Sequence, residues 1–183
     1  MMTQSTHQDA SEIIEADITI EDQQWEEHSD NYSQAIKDCL QAAMATLIDH
    51  PVKELDNLFV SVVLSNDDNI QKLNKEYREK DKPTNVLSFP AMEFDLEEND
   101  DGVPNIIEMM PQVELGDIIL AYETINREAS EQNKSINDHF KHLIVHGFLH
   151  LLGYDHIEDN EAEQMESLEV KILSKLGVKN PYI

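Results

Sequence analysis

His146, His150 and His156 are the residues of this chain whose types and spacing best suit chemistry. They lie in the run His146-Gly147-Phe148-Leu149-His150-Leu151-Leu152-Gly153-Tyr154-Asp155-His156. On a helix, residues four apart stack on one face a turn apart, so His146 and His150 point the same way. Gly153 can stop that helix in a left-handed turn and send the chain back toward the same face, which brings in His156. Three neutral imidazoles converging in this way leave a tetrahedral zinc ion one open position for water or substrate. The spacing predicts one zinc ion per chain in an open, catalytic type of site. The plainer alternative is three core histidines on an apolar helix. It gives no reason for both spacings or for the glycine between them.

The elements that must position these ligands are legible around them. Phe140, Leu143, Ile144, Val145, Phe148, Leu149, Leu151 and Leu152 make the ligand helix apolar nearly all round, so it is expected at the centre of the fold. Gly147 costs such a helix about 1 kcal/mol relative to alanine, which points to close approach of another backbone or of substrate. His139 and His142 extend the histidine face upward. His142 lies a turn above His146 and is a candidate outer support, substrate contact or surface residue. The zinc protease motif H-E-x-x-H carries its general base where this chain has Gly147. The third histidine six residues after the second, with Gly153 between, is similar to the metzincin zinc helix. The ligands therefore speak for a zinc hydrolase, and position 147 speaks against a peptidase.

Net charge is −25, from 13 basic and 38 acidic residues. Taken alone this opposes a nucleic-acid partner, because phosphate binding runs on Lys and Arg. The distribution is uneven. Lys72, Lys75, Arg78, Lys80 and Lys82 are five of the thirteen cations and fall in one short segment, either an anion site or a solvated helix face. The single cysteine, Cys39, sits in an amphipathic stretch and is expected to be a buried small hydrophobe. No apolar run approaches the ~20 residues needed to span a bilayer, and the N-terminus does not resemble a signal peptide. The expectation is a cytoplasmic protein without a membrane partner.

The pass along the chain predicts an α+β fold in a single domain, with a small mixed four-stranded sheet packed on about five helices. Residues 1–15 read as a disordered acidic tail, 16–177 as the domain, and 178–183 as a C-terminal tail. Strands are expected at Ala16–Glu21, Leu55–Leu64, Asn85–Phe89 and Leu115–Tyr122. Helices are expected over Tyr32–Ile48, behind the cap chemistry of Ser65-Asn66-Asp67-Asp68 with Ile70, Leu73 and Tyr77 on it, over Thr124–Gln132, from the Ser135 cap to about Leu152, and from an Asp159 or Asn160 cap to Gly177. Residues 93–112 read as an acidic surface loop.

A second segment carries a family resemblance. It is Leu73-Asn74-Lys75-Glu76-Tyr77-Arg78-Glu79-Lys80-Asp81-Lys82-Pro83-Thr84-Asn85-Val86-Leu87-Ser88-Phe89-Pro90. Together with Leu115-Gly116-Asp117-Ile118 and the histidine run, it resembles the YbeY endoribonucleases over roughly residues 16–177. One departure is Glu79, where the family usually has glycine; it puts an acid beside Arg78. The resemblance implies a metal-dependent, single-strand-specific endoribonuclease of 16S rRNA 3′-end maturation and ribosome quality control. Its partners would be single-stranded RNA, the ribosomal RNA precursor, and the small ribosomal subunit with its assembly factors, and not DNA. It implies zinc on His146, His150 and His156 and an essential arginine at Arg78. Zinc would either activate water or polarise the phosphate, and Arg78 would stabilise the developing charge. Lys72, Lys75, Lys80, Lys82 and His142 are candidate RNA contacts. The competing readings are a zinc metallopeptidase and a non-enzymatic assembly factor with a structural zinc.

Overall fold

The computed structural model describes residues 14–27, 31–94 and 111–183. The expected N-terminal tail up to residue 13, and most of the acidic loop, lie outside the described residues. The described residues form four strands and six α-helices: β1 (Ile14–Ile20), α1 (Gln24–Glu27), α2 (Tyr32–Thr46), β2 (Leu58–Ser65), α3 (Asp67–Arg78), β3 (Val86–Pro90), β4 (Val113–Ala121), α4 (Tyr122–Glu131), α5 (Ile136–Leu151) and α6 (Asp159–Lys175). The sheet order is β1-β2-β4-β3. β1, β2 and β4 run parallel, and β3 lies antiparallel on β4 at the edge. This is the expected α+β architecture, with α1 as the helix that the sequence pattern did not show. Four residues are too few to display a 3.6-residue period.

The strands sort side chains to two faces, as the pleat requires. Leu58, Val60, Val62 and Leu64 of β2 join the main core with α2, α5 and α6. On the other face Ile70 of α3 packs with Leu87, Ile119 and Ala121. β4 switches phase partway: Val113 and Leu115 face the main core, and so do Ile118 and Leu120. A register shift against Phe59 and Val60 of β2 accounts for the change of parity. Gly116 sits at that shift with φ +133°, and a Cβ there would come 2.2 Å from the Phe89 carbonyl oxygen. Only glycine fits that approach.

Side chains from one element cap another. Asp67 accepts from the Thr124 backbone N–H and hydroxyl at the start of α4, and Glu123 accepts from the Asp67 N–H at the start of α3. Two helix N-termini thus satisfy orphan donors reciprocally. Trp25 donates from Nε1 to the Ser65 carbonyl at 2.7 Å and packs on Tyr32, Tyr122 and Phe140. Cys39 is 1% exposed, as expected, and burial pushes its thiol up to about 12.

Glu79 closes α3 with φ 57° and ψ 24°, in the left-handed region, its N–H bonded to the Asn74 carbonyl. A Cβ is disfavoured there by roughly 1–2 kcal/mol, partly offset by the extra unfolded-chain entropy of glycine. Glu79→Gly is expected to stabilise the protein by about 0.5–1 kcal/mol, read as a raised denaturation midpoint. Glu79→Ala should give no such gain. Equal midpoints for Glu79→Gly and wild type would argue against strain at this turn.

Candidate metal centre

Ser135 caps α5 by accepting from the Asp138 N–H at 3.0 Å, as its spacing predicts. The helix is buried among Phe140, Leu143, Ile144, Val145, Phe148, Leu149 and Leu151. At its far end the Gly153 N–H bonds to the His150 carbonyl and the Tyr154 N–H to the Leu149 carbonyl, with Gly153 at φ 90°. This pair of bonds around a left-handed glycine is the Schellman turn. His50 reinforces it. The Val52 N–H donates to its Nδ1, so its Nε2–H donates to the Leu152 carbonyl at 2.9 Å. The chain then reverses, and His156 arrives beside its two predecessors.

One ring nitrogen from each of His146, His150 and His156 lies within 4.8 Å of the others. His146 and His150 are half-buried and His156 is exposed. The rings of His146 and His156 stack at 5.5 Å and 29°. The hydrogens of the two helical ligands are placed by outside partners. Tyr154 offers a carbonyl to His150 Nδ1 at 2.9 Å, so that nitrogen must carry the proton. Glu169 offers a carboxylate oxygen to His146 Nδ1 at 2.7 Å. Burial raises the Glu169 carboxyl, but hydrogen bonds from His142, His146 and Tyr182 outweigh it and hold the group at about 2. It is therefore an ionised acceptor. His150 is pushed down to about 4, first by burial and then by His146 and His156, so it is neutral at physiological pH.

The consequence is a test of fit. Where both rings are neutral with their protons on Nδ1, His146 Nε2 and His150 Nε2 face each other at 3.1 Å with two lone pairs. Such a pair repels unless a cation lies between. Zinc–nitrogen bonds of about 2.0–2.1 Å in a tetrahedron place ligand nitrogens roughly 3.3 Å apart, close to this separation. The donor set and the spacing of His146 and His150 fit a zinc-like ion, and a ring nitrogen of His156 lies within 4.8 Å of both.

Glu169 is the residue that sequence reasoning missed. It is 0% exposed and comes from α6. Its other carboxylate oxygen meets His142 Nε2 at 3.2 Å and accepts from the Tyr182 hydroxyl. The signal was present: Glu169 stands on the apolar face of α6 between Met165 and Ile172 and Leu173, all buried. A carboxylate on such a face needs partners. The expected cap of α6 at Asp159 or Asn160 is displaced by one or two residues, because Glu158 and Glu161 form a capping box there. The segment after Gly177 also does more than trail away, since Val178 is 8% exposed and Tyr182 reaches Glu169.

Gly147 has a structural reason. A Cβ there would lie 3.0 Å from Ile118 Cγ2 of β4 and from Ser88 Oγ of β3. The position faces the sheet, and side chains rather than another backbone crowd it. A glutamate at 147 would point into packed strands, so the residue that serves as base in H-E-x-x-H has no room here.

The basic segment divides. Lys75 pairs with Asp81 at 2.7 Å, both mostly exposed, and Lys72 reaches Asn69 at 3.5 Å. These lysines line a shallow groove with Asp68, Gln71 and Asp81, so its charge is mixed. The side chains of Arg78, Lys80 and Lys82 make no hydrogen bond or ion pair with any described residue, and all three are exposed. Neither Glu79 nor Asp81 bridges to Arg78. Contacts lead from this turn toward the ligand helix: Tyr77 packs on Phe89 at 5.2 Å, and Ser88 lies against Gly147. His142 is set against Glu169 and Tyr182.

A mixed α+β domain whose central buried helix and following turn bring three imidazoles together defines a class: small proteins with a metal-capable three-histidine centre. Within that class the chain belongs to the endoribonuclease YbeY family, whose family model matches residues 17–177. It is 44% identical over 171 residues to the endoribonuclease YbeY of Sinorhizobium fredii, covering 92% of each chain. It is 41% identical over 181 residues to that of a Bradyrhizobium strain, covering 99% of this chain and 96% of the relative. It is 55% identical over 127 residues to that of Magnetococcus marinus, covering 69% and 84%. A solution structure of a Thermotoga maritima protein shares the fold, with TM-score 0.51 and 22% identity over 90% of this chain and 92% of the other. Among the described residues no helix is long and apolar enough to cross a membrane.

Proposed function

We propose that this protein is a zinc-dependent endoribonuclease that cuts single-stranded RNA, working in the cytoplasm on the 3′ end of the 16S rRNA precursor and in ribosome quality control. The observation that carries the reading is the pair of facing Nε2 atoms of His146 and His150, with His156 beside them, in a chain of an endoribonuclease family. His146, His150 and His156 would hold the ion. Once bound, it supplies Lewis acidity and a nucleophile available at neutral pH.

The chain's own groups do the rest. Glu169 and the Tyr154 carbonyl hold the two helical imidazoles in the tautomer that presents Nε2, as outer partners of metal-bound histidines commonly do. Arg78 carries a planar, permanently charged fork that matches a phosphate bidentately. Its lack of a partner among the described residues supports that role, because a guanidinium already bridged to a carboxylate would have to break that contact first. Lys80 and Lys82 are the better candidates for guiding the RNA backbone, since Lys72 and Lys75 are engaged by neighbours. The ribosomal substrate and the small-subunit partners rest on the family resemblance.

A peptidase reading keeps the three ligands but needs a base that position 147 has no room to hold. The test offers single-stranded RNA, the same RNA as a duplex, and casein, each with and without a chelator. The expected result is cleavage of single-stranded RNA alone, lost with chelator and restored by zinc. It should fall steeply with salt, with a slope near −0.7 per phosphate neutralised. Casein cleavage, or RNA cleavage indifferent to chelator, would overturn the proposal. RNA inertness of the zinc-loaded protein would favour the assembly-factor alternative.

A further inference from the structure

We propose that Tyr77 is a stacking platform for an unpaired base, which seats single-stranded RNA on the turn between α3 and β3. The inference rests on the endoribonuclease reading and adds a residue that sets strand specificity.

Tyr77 is 61% exposed, the most exposed aromatic side chain among the described residues. Folding ordinarily buries most of a ring of this size, so a ring left in water on a helix end calls for a reason. The ring is not loose. It meets Phe89 of β3 at 5.2 Å and 65°, and Phe89 in turn packs beside the core cluster under α3. One edge contact fixes its orientation while the remaining surface stays available, and its hydroxyl makes no hydrogen bond with a described residue.

The backbone around it is also held. Asn74 is 3% exposed; its carbonyl accepts from the end of α3, and its side-chain amide donates to the Lys82 carbonyl at 2.7 Å. This buried asparagine pins both ends of the turn. The turn therefore presents a held aromatic ring on the same short segment as Arg78, Lys80 and Lys82, three exposed cations whose side chains pair with no described residue. β3 links that turn to the ligand helix, through Ser88 against Gly147.

An exposed ring followed in the chain by three exposed cations matches one polymer in particular. A single nucleic-acid strand alternates a flat apolar base with a phosphate, and aromatic stacking takes any base because every base has a π face. A duplex hides those faces in its own stack, so the platform would favour single strands without reading sequence. An acidic peptide could use the cations but would gain nothing from an aromatic face.

The test uses the zinc-loaded full chain. It compares wild type with Tyr77→Ala, Tyr77→Phe and Tyr77→Trp for binding of a labelled single-stranded RNA, the same RNA as a duplex, and an oligoglutamate peptide. Tyr77→Ala should weaken single-strand binding about tenfold or more, while Tyr77→Phe stays within about twofold of wild type. Duplex binding should be unchanged, and so should zinc content and melting temperature. Tyr77→Trp should bind at least as well as wild type and lose indole fluorescence on binding. That variant keeps the inference testable if the alanine variant folds poorly, because Trp25 is buried and serves as the constant background. Single-strand binding unaffected by Tyr77→Ala, or an indole at 77 that RNA does not quench, would overturn the platform. So would oligoglutamate binding that falls equally in Tyr77→Ala. If wild type neither binds nor cuts RNA, the endoribonuclease reading itself falls, a result distinct from an RNA-cutting enzyme indifferent to residue 77.

Discussion

His156→Ala is expected to abolish stoichiometric zinc binding and RNA cleavage together while leaving the metal-free protein as stable as wild type. His156 is exposed, and its side chain is not drawn into the buried hydrogen-bond network, so its removal leaves no orphan inside the fold. Even outer partners of metal ligands cost roughly 10–100-fold in affinity when removed, and losing a ligand should cost at least about 100-fold. His146→Ala should lose zinc as well, but with a second effect. It strips the partner from Oε1 of Glu169, a residue with 0% exposure, while His142 and Tyr182 stay on Oε2, so Oε1 is left buried and unsatisfied. An unsatisfied buried acceptor costs about 1–3 kcal/mol, so the metal-free His146→Ala protein should melt earlier than metal-free His156→Ala. Glu169→Gln should fall in the smaller range, with weakened zinc binding rather than loss. Zinc per chain by elemental analysis and melting after chelation are the measurements. Full zinc occupancy in either histidine variant would sink the three-histidine assignment.

Arg78→Ala is expected to reduce cleavage by roughly 10²–10³-fold with zinc content unchanged, the range seen when one preorganised donor to a transition state is removed. Stability should move by less than about 0.5 kcal/mol, because Arg78 is exposed and no described residue pairs with it. The combination matters: an unchanged fold and an unchanged metal leave the phosphate as the partner that was lost. Arg78→Lys should recover only part of the rate, since an ammonium is a point charge without the bidentate fork. The readout is cleavage of a single-stranded oligonucleotide at measured zinc occupancy. Wild-type rates in Arg78→Ala would remove the residue from the reaction.

Much of the fold is legible because its signals are local. The four-residue step from His146 to His150, the cap at Ser135 and the left-handed stop at Gly153 each depend on a few neighbouring φ/ψ angles or a single helical turn. The strands are visible in β-branched runs, and β2 reads as a strand because it is a nearly continuous apolar run, with burial alternating as far as Leu64. β4 is harder. Its inward residues change parity at Gly116, and only pairing against β2 exposes the extra residue. The short α1 carries too few residues for periodicity, although its Trp25 anchors an aromatic cluster.

The site shows the same division. By itself the sequence determined the candidate histidine trio, the helix that carries two of them, the glycine that returns the third and the absence of a carboxylate at 147. All of these are relations between near neighbours in the chain. Tertiary structure alone decided why 147 must be glycine, since Ile118 and Ser88 arrive there from other strands. It alone placed Glu169 against His146 and His142, brought Tyr182 back to that carboxylate, and left Arg78 without a partner among the described residues while Asp81 went to Lys75. Hydrogen bonds across such separations arise only when the core has packed and fixed which faces meet. The spacing of residues marks where an ion can sit. The packing of α5, α6 and the sheet sets which way each imidazole points when it gets there.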